Sequence, residues 1–159
     1  LTIYLVSFDN NFEYIIGIFA IALIPGFCEE YFFRGILQKN LNFIIKNHHA
    51  AIIISSLLFS AFHLQFYGFF PRLFLGIFFG YLFYWSGSLI YPVIAHAFNN
   101  FLSLTVFYAA SSGVFGENFD ISVNSSPDIP LAVIVLSIII FIFLLSVLKE
   151  KLKDIHEPR

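Results

Sequence analysis

Apolar positions dominate this chain and fall into five blocks. The first runs from about Asn11 to Leu41, the second from Ala50 to Tyr67, the third from Arg72 to Ser86, the fourth from Ser88 to Ala110 and the fifth from Ile129 to Leu148. A membrane-spanning helix needs about 20 apolar residues, so each block predicts a span, with the third short or tilted. The expected fold is all-α, a polytopic bundle of about five transmembrane helices. Inside the first block Pro25-Gly26 predicts a kink, because Pro25 has no N–H for the Ile21 carbonyl. Gly76-Ile77-Phe78-Phe79-Gly80 is a small-xxx-small pattern for close helix packing.

Composition agrees with that pattern. Of 159 residues, 59% are hydrophobic and 11% charged, where soluble domains carry about 25% charge. The mean hydropathy is +0.87. The 23 Phe are expected to face lipid and fill helix contacts rather than form a ligand cage. A single cysteine, Cys28, excludes an internal disulfide framework and reads as a small apolar filler. No basic patch points to nucleic acid. The chain starts at Leu1 and holds no Met, so further helices are expected to precede it.

Charge placement orients the bundle. Lys39 and Lys46 fall in or beside the first connection, and Lys149, Lys151, Lys153 and Arg159 in the C-terminal tail. The stretch from Ser111 to Asp128 carries Glu117, Asp120 and Asp128 and no cation. Five spans put the first connection and the C-terminus on one side, which the positive-inside rule makes cytoplasmic. Richness in Phe, Ile, Asn and Lys suits an AT-rich genome, and the expected location is a bacterial cell membrane. His48-His49 reads as a solvated loop pair.

Three polar insertions interrupt the blocks: Glu29-Glu30 with Arg34, Phe59 with His63, and His96 with Asn100. Each pairing has i, i+4 spacing and so shares one helix face. At 1.5 Å per residue these groups lie roughly 12–20 Å from the cytoplasmic ends of their helices, in one layer near the bilayer middle. Charge at that depth is expensive and marks a functional site by default. Glu30 and Arg34 form an ion pair in the favourable orientation, a positioning role. Glu29, about 100° round the helix, has no intrahelical cation, which suits it to proton transfer. His63 is a second holder of a reactive water or its proton partner, walled from lipid by Phe59. His96 and Asn100 offer donors from one face, the chemistry of an oxyanion hole. Together these groups fit addition of water to an amide carbonyl within a membrane.

Glu29, His63 and His96 also form the two-His, one-Glu set of a catalytic zinc site, so Zn2+ is an alternative holder of the water. No H-E-x-x-H signature accompanies it. Two rival readings use the same residues. A proton-coupled transporter predicts duplicated broken helices, and no motif is duplicated between the halves. A non-catalytic scaffold would use the cluster to bind a partner.

The three motifs, in this order on successive helices, resemble the CPBP intramembrane protease family, which includes type II CAAX prenyl endopeptidases, bacteriocin-processing proteins and abortive infection proteins. Arg34-Gly35 after the Glu pair, and Gly87-Ser88-Leu89 then Pro92 before His96, extend the likeness over Ile24 to Leu102, within one membrane-embedded domain spanning 1–159. The resemblance implies that Glu29 is the catalytic glutamate and His63 its water-activating partner. It implies that His96 and Asn100 stabilise the oxyanion, with Glu30 and Arg34 in support. Asn100 is preferred to Asn99 because it stands at i+4. The family is labelled metalloprotease, and a metal-independent glutamate mechanism is also argued for it. The expected substrate is a membrane-associated peptide, a lipidated C-terminus or a leader peptide.

Overall fold

The computed structural model describes residues 8, 10–66, 68–112 and 145–152. Among them there is no strand. Helix α1 runs from Asn11 to Ile45 without a break, α2 from His48 to Phe62, α3 from Phe69 to Ser86 and α4 from Ile90 to Ser111. A last helical stretch, α5, covers 145–152.

Local chemistry sets these bounds. Asn10 caps α1 by accepting from the Phe12 and Glu13 amides. Lys46 ends α1 in the left-handed region, and Asn47 caps α2 by accepting from the Ala50 amide at 3.1 Å. α3 stops at Gly87, whose φ of 64° suits glycine. Pro92 sits in the first turn of α4, where a missing N–H costs nothing.

Several bounds differ from the sequence expectation. α1 extends four residues beyond Leu41. α2 ends at Phe62, five residues before Tyr67, so His63 stands just past the helix end rather than inside it. α3 begins at Phe69, before Arg72. The expected kink at Pro25 is a change of winding instead: Ile18–Leu23 and Tyr31–Gln38 are π-helical, and Pro25 opens the α-helical stretch between them. Such bulges are frequent at functional sites. The block from Ile129 to Leu148 lies outside the described residues except for its last four.

α1 is the spine. Its first half packs on α4 and its second half on α2 and α3. A Cβ added at Gly26 would stand 2.9 Å from the Ala97 backbone nitrogen, so only glycine allows this approach of α1 to α4. The Gly76/Gly80 pattern does pack closely, with Gly76 against Ser56 and Gly80 against Ile52.

The outer surface is more apolar than that of a protein in water, and the interior holds charged and polar groups beside its apolar ones. Phe27, Phe70, Phe74, Ile94 and Phe98 are all more than half exposed, while Glu30, Arg34, Ser55 and Ser56 are fully buried. Large apolar side chains outside and polar ones inside are what a hydrocarbon solvent selects. Cys28 is exposed on this outer surface, not packed as a filler. Two helices, α1 and the Ile90–Ala109 part of α4, are long and apolar enough to cross a membrane. α1, with 35 residues, is about 52 Å long. α2 is a shorter apolar helix.

Candidate active site

Glu29 and Glu30 lie at the end of the α-helical stretch of α1, just before its second π-helical turn, and point to different neighbours. Glu30 is fully buried. Its Oε1 accepts from Arg34 Nη1 at 2.6 Å and faces His96 Nδ1 at 2.8 Å. The expected Glu30–Arg34 pair is therefore present, but it is part of a larger arrangement that reaches α4.

Arg34 does more than balance Glu30. Its Nη2 donates to the Gly76 carbonyl at 2.8 Å, and its guanidinium lies over the rings of Phe59 and Phe79, at 4.8 and 5.6 Å from their centroids. One turn further along α1, Gln38 donates to the Gly80 carbonyl at 3.1 Å. Two side chains four apart on α1 thus address two main-chain carbonyls four apart on α3. The small residues at 76 and 80 let α2 pack closely on the same stretch of α3.

His96 stacks on Phe79 at 5.1 Å and meets the edge of Phe59 at 5.7 Å. Phe59 also meets His63 edge to face at 5.2 Å. One buried phenylalanine therefore walls both imidazoles and the guanidinium. His63, past the end of α2, joins Nδ1 to the Phe59 carbonyl at 2.9 Å, replacing a backbone partner lost where the helix stops.

These contacts fix both ring tautomers. A carbonyl only accepts, so His63 Nδ1 carries hydrogen; the Arg34-paired carboxylate of Glu30 likewise takes the Nδ1 hydrogen of His96. Each ring is left with Nε2 facing inward, and each Nε2 stands 3.9 Å from Glu29 Oε2. That oxygen is buried and has no hydrogen-bond partner.

Separations of 3.9 Å are too long for direct hydrogen bonds. A water about 2.8 Å from each end of such a gap subtends about 90°, an ordinary hydrogen-bond angle. A zinc ion at about 2.1 Å from each would subtend about 135°, wider than a tetrahedral site. Among the described residues, no group of three or more His, Cys, Asp or Glu is arranged to hold a metal. Each 3.9 Å gap thus fits a bridging water and is wider than tetrahedral zinc ligation allows.

Asn100 reaches back across the α1–α4 interface. Its Nδ2 donates to the Ile21 carbonyl at 3.4 Å, and its Oδ1 accepts from Asn99 Nδ2 at 3.4 Å. This carbonyl lies in the π-helical stretch just before Pro25. Glu29, His63, His96 and Asn100 all line one cavity of about 520 Å³, and Phe59 forms part of its wall. That volume is within the range of small-ligand sites.

Sequence reasoning missed four polar residues of the same cavity: Gln65, Arg72, Asn99 as a lining group in its own right, and Ser103. Arg72 was visible as an isolated cation at the head of an apolar block. Its guanidinium donates to the side chain and carbonyl of Gln65, at 3.0 and 3.1 Å, and holds the turn after His63.

A protein-family profile described as type II CAAX prenyl endopeptidase Rce1-like matches residues 11–102, a span that holds the whole arrangement. No curated protein and no solved structure matches the chain.

Proposed function

The chain belongs to the type II CAAX prenyl endopeptidase Rce1-like family, a family of integral membrane proteases, and from that premise we propose that it is an intramembrane endopeptidase that hydrolyses a peptide bond through a glutamate-activated water. The observation that carries this reading is the convergence of His63 Nε2 and His96 Nε2 on the unpartnered Glu29 Oε2, each at 3.9 Å, on the wall of an intramembrane cavity.

In this mechanism Glu29 takes a proton from a water held between it and His63, and the water oxygen attacks the peptide carbonyl carbon. Negative charge then develops on the carbonyl oxygen. Protonated His96 donates from Nε2, and Asn100 donates its second amide hydrogen, to that oxygen. The tetrahedral intermediate collapses when Glu29 returns its proton to the leaving amine. Glu30 accepts from His96 Nδ1 and holds the ring in the required orientation, and Arg34 holds Glu30. Phe59 and Phe79 keep the rings in place and exclude lipid. The outer apolar surface brings the protein to substrates that are themselves membrane-associated, such as a lipidated C-terminus or a leader peptide.

We further propose that the chain makes five spans with a cytoplasmic C-terminus. The reading is supported by Lys149 and His49 lining one cavity, which brings α5 to the same end of the bundle as the α1–α2 turn, as five spans require.

The test is a survey of peptide termini in membranes expressing the protein or its Glu29→Gln variant. Ends present with the native chain and absent with the variant are expected, and they name the substrate. Identical ends in both overturn the proteolytic reading in favour of a scaffold or transport role.

A further inference from the structure

At the α1–α2 end of the bundle lies a second cavity, of about 400 Å³, that the proteolytic reading leaves unused. It is lined by His49, Tyr81, Tyr84, Trp85 and Lys149. The sequence placed His48-His49 in a solvated loop. Instead the pair opens α2, and both imidazoles, though exposed, are engaged with α3 rings. His49 Nδ1 and the Tyr81 hydroxyl share a hydrogen bond of 2.7 Å. The Tyr81 ring lies 5.2 Å from Trp85, and the His48 ring 4.6 Å from Tyr84.

Every lining side chain has an apolar body and a polar tip, the type that collects where hydrocarbon meets water. Their mutual contacts fix the rings and leave two groups unspent. Among the described residues, Lys149 has no carboxylate, carbonyl or ring partner, and His49 Nε2 has none either. The surroundings are cationic. Lys39 lies over the Phe83 ring at 5.3 Å, Lys46 ends α1, and Lys151 follows in α5, with Glu150 the one acid among the described residues of these segments. A pre-shaped aromatic cavity at a hydrocarbon–water boundary, with a free ammonium and a free imidazole nitrogen, has the chemistry for a phosphate carried on an acyl chain.

We propose that this cavity binds the phosphate of an anionic membrane-lipid headgroup. Lys149 and His49 contact the phosphate oxygens, and Tyr84 and Trp85 seat the glycerol and the first methylenes. The site is independent of the proteolytic reading.

Trp85 is the sole tryptophan of the chain, so its fluorescence reads the cavity directly. The full chain is reconstituted in phosphatidylcholine vesicles, and lipid brominated on the acyl chains is titrated in. Brominated phosphatidylglycerol is expected to quench Trp85 at several-fold lower mole fraction than brominated phosphatidylcholine. Lys149→Gln and His49→Gln should abolish that preference, and Lys149→Arg should retain it, which separates lost charge from lost folding. Equal quenching by the two lipids in the native chain overturns the proposal. So does a Trp85 emission change on adding inorganic phosphate to detergent-solubilised protein, if phosphate also removes the phosphatidylglycerol preference; the ligand is then a free phosphate.

Discussion

Asn100 donates to the carbonyl of Ile21 across the α1–α4 interface, and that carbonyl lies four residues before Pro25. A proline that removes one backbone donor and an asparagine on another helix that supplies one form a matched pair. Asn100→Ala should lower kcat by about 10²–10³-fold with a small change in KM, if its other hydrogen serves the oxyanion. It should also cost about 1 kcal/mol of stability from the stranded carbonyl. The double variant Pro25→Ala/Asn100→Ala adds a backbone N–H next to this stretch that can rewind it to α-helix, so its thermal stability should recover while its rate does not. Recovery of both would show that Asn100 acts through the backbone alone.

Among the described residues, Arg34 is the one Lys or Arg in contact with the Glu30 carboxylate, and both partners are fully buried. Arg34→Ala strands Glu30 and should destabilise the protein by about 3–5 kcal/mol, read as a lowered unfolding temperature in detergent. Arg34→Lys should recover only part of this. An ammonium cannot reach Glu30 and the Gly76 carbonyl together while lying flat over Phe59.

The adjacent carboxylates should separate cleanly by substitution. Glu29→Gln is expected to lower cleavage by about 10²–10⁴-fold and to leave stability within about 1 kcal/mol, since its Oε2 has no hydrogen-bond partner to lose. Glu30→Gln should lose both activity and stability, because Arg34 and His96 depend on it. Parallel measurement of turnover and unfolding temperature for the two variants decides the assignment. The reverse pattern would exchange the roles of Glu29 and Glu30.

Gly26 sets the spacing of α1 from α4. Gly26→Ala puts a methyl group 2.9 Å from the Ala97 backbone nitrogen, which cannot rotate away. Overpacking of this kind costs typically 1–3 kcal/mol. The displaced interface should also pull His96 away from Glu30 and reduce turnover more than stability explains. Adding Ala97→Gly removes the methyl contact but not the backbone one, so the rescue measured in the double variant should be partial.

What the sequence made legible were relations carried by spacing within a helix. The pairing of Glu30 with Arg34 and of Phe59 with His63, and the packing role of Gly76 and Gly80, are relations between residues four apart in the chain. Relations between helices were not legible. Nothing in the spacing says that His96 meets Glu30, or that Asn100 meets Ile21. The helix end at Phe62 was missed because Leu64, Phe66 and Tyr67 continue the apolar block past it, and the hydropathy of a block does not mark where its helix stops. His48 and His49 were misjudged because polar residues between apolar blocks resemble a loop, although Asn47 before them is a recognisable cap.

Arg34 and Gln38 bind α3 through the carbonyls of Gly76 and Gly80. Every residue type carries that carbonyl, so at these two points α1 reads its neighbour's shape rather than its side-chain chemistry. Away from positions 76 and 80, most of the lipid-facing side of α3 is free to vary without disturbing the charge cluster. At those two positions an added methyl group would press on α2, 3.1 Å from Ser56 Cβ at 76 and 2.8 Å from Ile52 Cγ2 at 80, and so displace α3 and the carbonyls it offers. The polar centre of the protein is thereby insured by the absence of side chains, a dependence that substituting charged residues alone would never reveal.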